Sequence, residues 1–352
     1  MPKSRINKAM NANSPTVLGL DIGGANIKIA CEVGRAVSIP FALWKQPDRL
    51  PAVLASLVEG YSKHGDFAEI AITMTGELCD CFATKREGVN RILDAVVFAA
   101  AGKPLRVWST AGKWLSVADA RLSSLAVAAA NWHALATFAG RFAPVGKALL
   151  VDIGSTTTDI IPLENGVPVS KGRTDFDRLE LGELVYLGVK RTPVMALGVP
   201  NVCAEYFADT RDVNIVLNHI AEVPVAIDTA DGRPATMSYC LARLARMLGG
   251  DPESHSEASL RSTAAHWFRH SKERISDAIR VAVNGDANRI ERIGGSQILI
   301  MSGAGEWMVR KAWWGVDLEF TGRMSLADEL DEPVSACAPA YAVAVLASEM
   351  PR

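Results

Sequence analysis

Apolar residues along the chain fall into two rhythms. Short, nearly unbroken runs are bounded by glycine or acidic residues: V-L-G-L at 17–20, I-A-I-T-M at 70–74, A-L-L-V at 148–151 and I-L-I-M at 298–301. They predict buried strands. Elsewhere apolar residues recur at three- and four-residue steps, as at Leu50, Val53, Leu54, Leu57, Val58 and Tyr61, and predict helices with one buried face. In the first half this gives strands near 16–22, 25–33 and 36–43, a helix over 48–64, a strand at 68–75, a helix near 88–101, a strand at 104–109 and a long alanine-rich helix over 116–140. In the second half it gives a hairpin over 147–163, a helix from 174 that Lys190 and Arg191 close before Pro193, and loops with short helices over 200–235. Helices near 237–248 and 256–283 follow, then a strand at 297–301, a helix carrying Trp307, Trp313 and Trp314, a strand at 316–321 and a helix at 338–349.

Two of the strand endings are alike. Residues 16–30 read T-V-L-G-L-D-I-G-G-A-N-I-K-I-A, and 147–163 read K-A-L-L-V-D-I-G-S-T-T-T-D-I-I-P-L, so that Asp21 and Asp152 stand at equivalent places. Glycine lets backbone approach a ligand, and Ser/Thr hydroxyls with turn amides donate to anionic oxygens. A carboxylate at the strand end suits a divalent cation. A Ser/Thr-rich hairpin can be no more than a turn. A second copy in the other half changes that reading, because it implies a duplicated fold whose two loops face one cleft. The expected division is a disordered tail over 1–14, a first domain over 15–145 and a second over 146–352. The second would carry a helical insertion at about 200–290, with the C-terminal helix packing back on the first domain.

The length of 352 residues suits two cores. With 37 basic and 39 acidic residues, net charge gives no push toward nucleic acid. No apolar stretch is free of charge over a membrane-spanning length, so a membrane partner is not expected either. The six cysteines lack a C-x-x-C pair and read as free thiols of a cytoplasmic protein. Cys79-Asp80-Cys81 is too sparse for a metal site without further ligands. Neither a Walker loop nor G-x-G-x-x-G occurs. Charged residues concentrate at 76–90, just past a strand end where open α/β sheets place ligands: Glu77, Asp80, Lys85, Arg86 and Glu87. The same cluster also reads as a solvated helix start. His133, among alanines, reads first as a packing residue, although Asn131 and Trp132 beside it would suit a ligand-facing patch. A glycine turn, Ser302-Gly303-Ala304-Gly305, joins a strand to a helix and could set bare amides against an anion or a flat ring.

Taken in order, D-I-G-G-A-N-I-K, D-I-G-S-T-T-T-D and S-G-A-G resemble the first phosphate, second phosphate and adenosine loops of the superfamily that unites actin, heat-shock-70-type chaperones, sugar kinases and acetate kinase. The resemblance implies an α/β chain of duplicated ribonuclease-H-like (actin-like ATPase) domains flanking a central cleft. The second hairpin is similar to the hydantoinase/oxoprolinase branch. The stretches T-G-E-L-C-D-C-F-A-T-K-R-E-G-V (75–89), A-A-N-W-H-A-L-A (129–136) and Y-L-G-V-K-R-T-P-V (186–194) resemble the tetrahydromethanopterin-linked one-carbon-transfer proteins, which include archaeal enzymes of methanofuran biosynthesis.

By that resemblance the reaction is an alkyl transfer. An aminomethyl-furanmethyl diphosphate loses pyrophosphate to a phenolic acceptor of the γ-glutamyltyramine or tyrosine type. Asp21 and Asp152 would hold Mg²⁺, and Gly23, Gly24, Asn26, Lys28, Gly154, Ser155, Thr156, Thr157, Gly303 and Gly305 would face the phosphates. Glu77 is the candidate general base or amine ligand, so the expected catalytic set is Asp21, Glu77 and Asp152. Lys85, Arg86, Asn131, His133 and Arg191 would contact substrate. Two other classes fit the same loops: an ATP-using small-molecule kinase or amidohydrolase, and a non-catalytic nucleotide switch. ATP is therefore the alternative occupant. A homodimer is compatible with the sequence and not specified by it.

Overall fold

The computed structural model describes residues 16–63, 65–226, 228–284, 297–312 and 320–350. The tail over 1–14, Trp313, Trp314, the end of the expected insertion and most of the strand expected at 316–321 lie outside the described residues. Strands β1 (Thr16–Ile22), β2 (Asn26–Cys31) and β3 (Ala36–Pro40) form an antiparallel meander. β4 (Phe67–Met74) and β5 (Leu105–Trp108) add in parallel on the other side of β1, and β6 (Trp114–Leu115) closes that edge.

The second sheet repeats the plan. β7 (Lys147–Ile153) and β8 (Thr158–Glu164) form the hairpin. The third position is shared by two short pieces: β9 (Val167–Pro168) pairs with the far end of β8, and β10 (Leu184–Val185) pairs with its near end. β11 (Gln297–Ser302) and β12 (Gly322–Ser325) supply the parallel additions. This is a duplicated ribonuclease-H-like fold.

Two helices lie between the sheets, Asn131–Ala139 and Ala338–Ser348. Both faces of β1 and β7 are therefore covered, which is why their apolar runs are unbroken. Along β7, Leu149, Val151 and Ile153 face the helices of the second lobe, while Ala148 and Leu150 face the shared layer. Along β1, Leu18, Leu20 and Ile22 face the outer helices Leu50–Ser62 and Lys85–Ala100, and Val17 faces the shared layer. The C-terminal helix lies so close to β1 that a Cβ on Gly19 would sit 1.9 Å from the carbonyl oxygen of Ala340. Each fully buried branched side chain of that layer contributes about 2 kcal/mol. The half-exposed Arg141–Glu349 pair at its edge adds at most about 1 kcal/mol. Apolar packing thus joins the lobes. No helix among the described residues is long and apolar enough to cross a membrane.

Two expected helices are shorter than periodicity suggests. The alanine-rich stretch breaks into Val117–Leu122, Ser124–Val127 and Asn131–Ala139, with Ala129 held in a left-handed conformation at φ 48°. Helix propensity favours a continuous rod there, but packing between the sheets requires the last segment to restart at Asn131. The helix expected from 174 to 191 spans only Asp175–Glu180. Thr174 caps it in a capping box with Asp177, Gly182 at φ 71° follows its end, and Leu184–Val185 joins the sheet. The cap and the glycine were both visible in the sequence.

Candidate active site

Because side chains alternate along a strand, the partition of β1 and β7 decides where their acids point. Val17, Gly19 and Asp21 share one face of β1, and Ala148, Leu150 and Asp152 share one face of β7. Both faces look into the space between the sheets. Antiparallel register adds a partner to each acid: Lys28 lies opposite Asp21, and Asp159 lies opposite Asp152. The loops between are closed by the same bond, Gly23 N–H to Asn26 O at 3.0 Å and Gly154 N–H to Thr157 O at 2.8 Å.

A cavity of about 390 Å³ opens between the loops. Its walls include Asp21, Gly23, Gly24, Asn26 and Lys28 from the first lobe, and Asp152, Gly154, Ser155, Thr156, Thr157 and Asp159 from the second. Pro339 and Asn131, in the first turns of the two sandwiched helices, also reach it. Neither of those helices has a side-chain N-cap, so their positive ends face the cleft uncapped.

Burial dominates the electrostatics. Lys28 Nζ lies 3.5 Å from Asp21 Oδ2, while Asp21 Oδ1 is buried without a hydrogen-bond donor. Burial raises the Asp21 carboxyl and Lys28 opposes it. Burial pushes Asp152 up to about 6, with Asp159 adding to the effect and Lys28 opposing it. Burial works against charge on Lys28, but Asp21 and Asp152 more than offset it and hold the ammonium above its ordinary value. Asp159 is also raised by burial, with Arg178 opposing.

Arg178 is a site residue that periodicity did not mark. It is 1 % exposed, donates to Asp159 Oδ1 at 2.7 Å and to the carbonyl of Glu183 at 2.9 Å, and stacks 4.1 Å over the Trp132 ring. Trp44, Trp132, Asp175 and Tyr186 also line the cavity. Asp159 could have been found, since it occupies in the second hairpin the place of Lys28 in the first. Nothing local marks Trp44 or Arg178.

The remaining expected site residues divide. Asn131 and Arg191 line the cleft. Lys85 lies beside it, 3.5 Å from Asp175 of the other lobe. Arg86 is exposed and outside the lining, because the first turn of its helix turns that side chain to solvent. His133 also lies outside the lining. It is buried, with Trp108 Nε1–H donating to its Nδ1 at 3.3 Å, and burial together with Arg173 and Arg178 pushes it down to about 4. It is a neutral packing residue behind the wall.

Gly303 and Gly305 are likewise absent from the lining. A Cβ on Gly303 would meet Ile153 O at 2.4 Å, and one on Gly305 would meet Ile153 Cγ2 at 2.4 Å and Val189 Cγ1 at 2.6 Å. Close packing against the end of β7 accounts for both glycines. Glu77 sits under the cleft floor, between Thr75 and Gly76 on one side and Leu78 and Cys79 on the other. It is outside the lining and 1 % exposed, its carboxyl oxygens make no well-formed hydrogen bond, and burial pushes it up to about 7 against the pull of its own backbone N–H, of Lys85 and of the Ala129 N–H.

The hydantoinase/oxoprolinase family profile matches residues 69–349. A (4-{4-[2-(gamma-L-glutamylamino)ethyl]phenoxymethyl}furan-2-yl)methanamine synthase of Methanocaldococcus jannaschii is 35 % identical over 341 residues, 94 % of this chain and 97 % of that one. A synthase of the same name from Methanococcus vannielii is 31 % identical over 210 residues, 57 % of this chain and 90 % of that one. Among solved structures, nucleotide-free acetone carboxylase superposes with a TM-score of 0.56 at 11 % identity, covering 94 % of this chain and 70 % of that one, a likeness of fold. With two strand-end acids, two duplicated loops and this kinship, the chain belongs to the hydantoinase/oxoprolinase family, on the branch of the methanamine synthases.

Proposed function

We propose that the protein is a transferase of methanofuran-type cofactor biosynthesis. It would join the phenol of a γ-glutamyltyramine- or tyrosine-type acceptor to an aminomethyl-furanmethyl diphosphate. The phenol oxygen forms a bond to the furan methylene as the methylene–oxygen bond to diphosphate breaks. Pyrophosphate leaves with the electron pair, and the phenol proton passes to a base. The carrying observation is the meeting, in one cavity, of two loops with bare amides, the second also bearing hydroxyls, with the aromatic side chains Trp44 and Tyr186. The first part suits a diphosphate and the second suits two flat rings.

Stabilising charge on the departing oxygens is the largest demand in such a reaction. The amides of both loops, the ammonium of Lys28 and the uncapped starts of the two sandwiched helices all present positive charge to that end. Among the described residues no three His, Cys, Asp or Glu side chains form a metal cluster. Mg²⁺ beside a diphosphate needs only one or two carboxylates, with water and the substrate's own oxygens supplying the rest. The acceptor-only Asp21 Oδ1, buried with no donor, fits the requirement, and Asp21 and Asp152 would hold the ion. Bound there, Mg²⁺ would neutralise charge on the leaving pyrophosphate. The protein's own part is to hold the rings in line and exclude water. Glu77 is outside the lining, beneath Thr75, Leu78 and Cys79, so it would take the phenol proton through a bridging water and not by direct contact.

A thermal-shift comparison tests the reading. Mg²⁺ with pyrophosphate should raise the melting midpoint by several degrees, and Mg²⁺ with ATP should leave it nearly unchanged, since only a ligand of the native state stabilises. A strong ATP shift with pyrophosphate inert would replace the transferase by an ATP-using kinase or amidohydrolase.

A further inference from the structure

Three cations line the cleft, and they are not equivalent. Lys28 holds Asp21 and Arg178 holds Asp159. Arg191 makes no ion pair and no side-chain hydrogen bond among the described residues. Its guanidinium carbon lies 4.5 Å from the centre of the Trp44 ring, on which it rests. The two partners belong to different lobes, and each is tied to a phosphate loop. The backbone N–H groups of Lys190 and Arg191 both donate to Ser155 O, at 3.0 and 2.9 Å, which lays that segment along the second loop. Leu43 N–H donates to Gly24 O at 2.9 Å, which ties the turn bearing Trp44 to the first. Among the described residues, Arg191 is thus the cation of the cleft that makes no salt bridge, and with Trp44 it joins segments tied to both loops.

We propose that Arg191 is the clamp on the diphosphate, parked on Trp44 until that group arrives. A guanidinium over an indole gains less than the same fork making charge-assisted, bidentate bonds to phosphate oxygens, so the anion wins the competition. Arg191 then stabilises the charge that grows on the departing pyrophosphate, and Trp44 keeps it from pairing with nearby carboxylates when the cleft is empty. This rests on the diphosphate reading above and adds a residue and a resting state to it.

The test is binding of inorganic pyrophosphate with Mg²⁺ to the full chain, followed by calorimetry and by the intrinsic fluorescence of Trp44, taken as the difference between the wild type and Trp44→Phe. Arg191→Gln should weaken pyrophosphate roughly 10- to 100-fold, the worth of a lost charged hydrogen bond pair. It should also abolish the fluorescence change, with the ligand-free melting midpoint lowered by only a few degrees, because no ion pair is lost and a cation–π contact is worth about 1 kcal/mol. Arg191→Lys should recover part of the affinity. Wild-type affinity in a folded Arg191→Gln, or a fluorescence change that persists in it, would overturn the clamp and leave the transferase standing. A wild type that ignores pyrophosphate and takes ATP would remove both.

Discussion

Glu77 concentrates the residue-scale argument. Its carboxyl is 1 % exposed and makes no well-formed hydrogen bond, and burial lifts it to about 7 against an ordinary 4.5. The folded chain therefore holds that proton more tightly than the unfolded chain does. Stability from this group is fully present below pH 4.5 and is lost as pH rises toward 7, on the order of 3 kcal/mol in all. A base must be ionised, so turnover should rise over the same interval in which stability falls. Glu77→Gln should lower kcat on the order of a hundredfold, flatten the acid limb of the pH–rate profile and raise the melting midpoint at pH 8. Near-normal turnover in that variant would end the base assignment. The position of Glu77 past a strand end was readable. Its isolation was not, because a charge cluster in sequence looks the same whether it is solvated or buried.

Among the elements, the segment Asp175–Glu180 matters for what it carries. Arg178 joins that short helix to β8 through Asp159 and to the helix Asn131–Ala139 through Trp132. Removing one partner of a buried pair leaves the other charged and unpaired, which costs more than the pair contributes. Arg178→Met should lower stability by about 3–5 kcal/mol in urea unfolding, and adding Asp159→Leu should recover most of it. Equal losses in the single and double variants would mean that Arg178 acts by packing alone. The hairpins themselves were legible, since apolar runs, D-I-G and turn residues all pointed to the same conformation. The helix containing Arg178 was overextended because 3.6-residue spacing continued past Gly182, and the sheet captured Leu184–Val185 by long-range pairing.

For the whole molecule, the shared helical layer should make the two lobes unfold as one cooperative unit. Gly19 is one of its tightest points, with Ala340 where a side chain would be. Gly19→Val should move the C-terminal helix off β1 and cost roughly 3 kcal/mol, seen as a lower but still single melting transition. Two separated transitions would show lobes that fold independently. An unchanged midpoint would show that the helix can shift without loss.

Local chemistry was enough to determine the central strands β1–β5, β7, β8 and β11, the duplicated hairpins, the placing of Asp21, Lys28 and Asp152 at one kind of turn, and through them the family. Each depends on interactions between residues close in the chain, or on a pattern repeated along it. The tertiary structure alone decided that Arg86 faces solvent and that Gly303 and Gly305 serve the end of β7, while for His133 it agrees with the packing reading its alanine surroundings favour. It also brought Trp44, Trp132, Asp159, Arg178, Tyr186 and Arg191 to a single cavity. These side chains meet across two sheets and two lobes, and which distant residues become neighbours depends on how apolar faces pack together, a property of the whole chain.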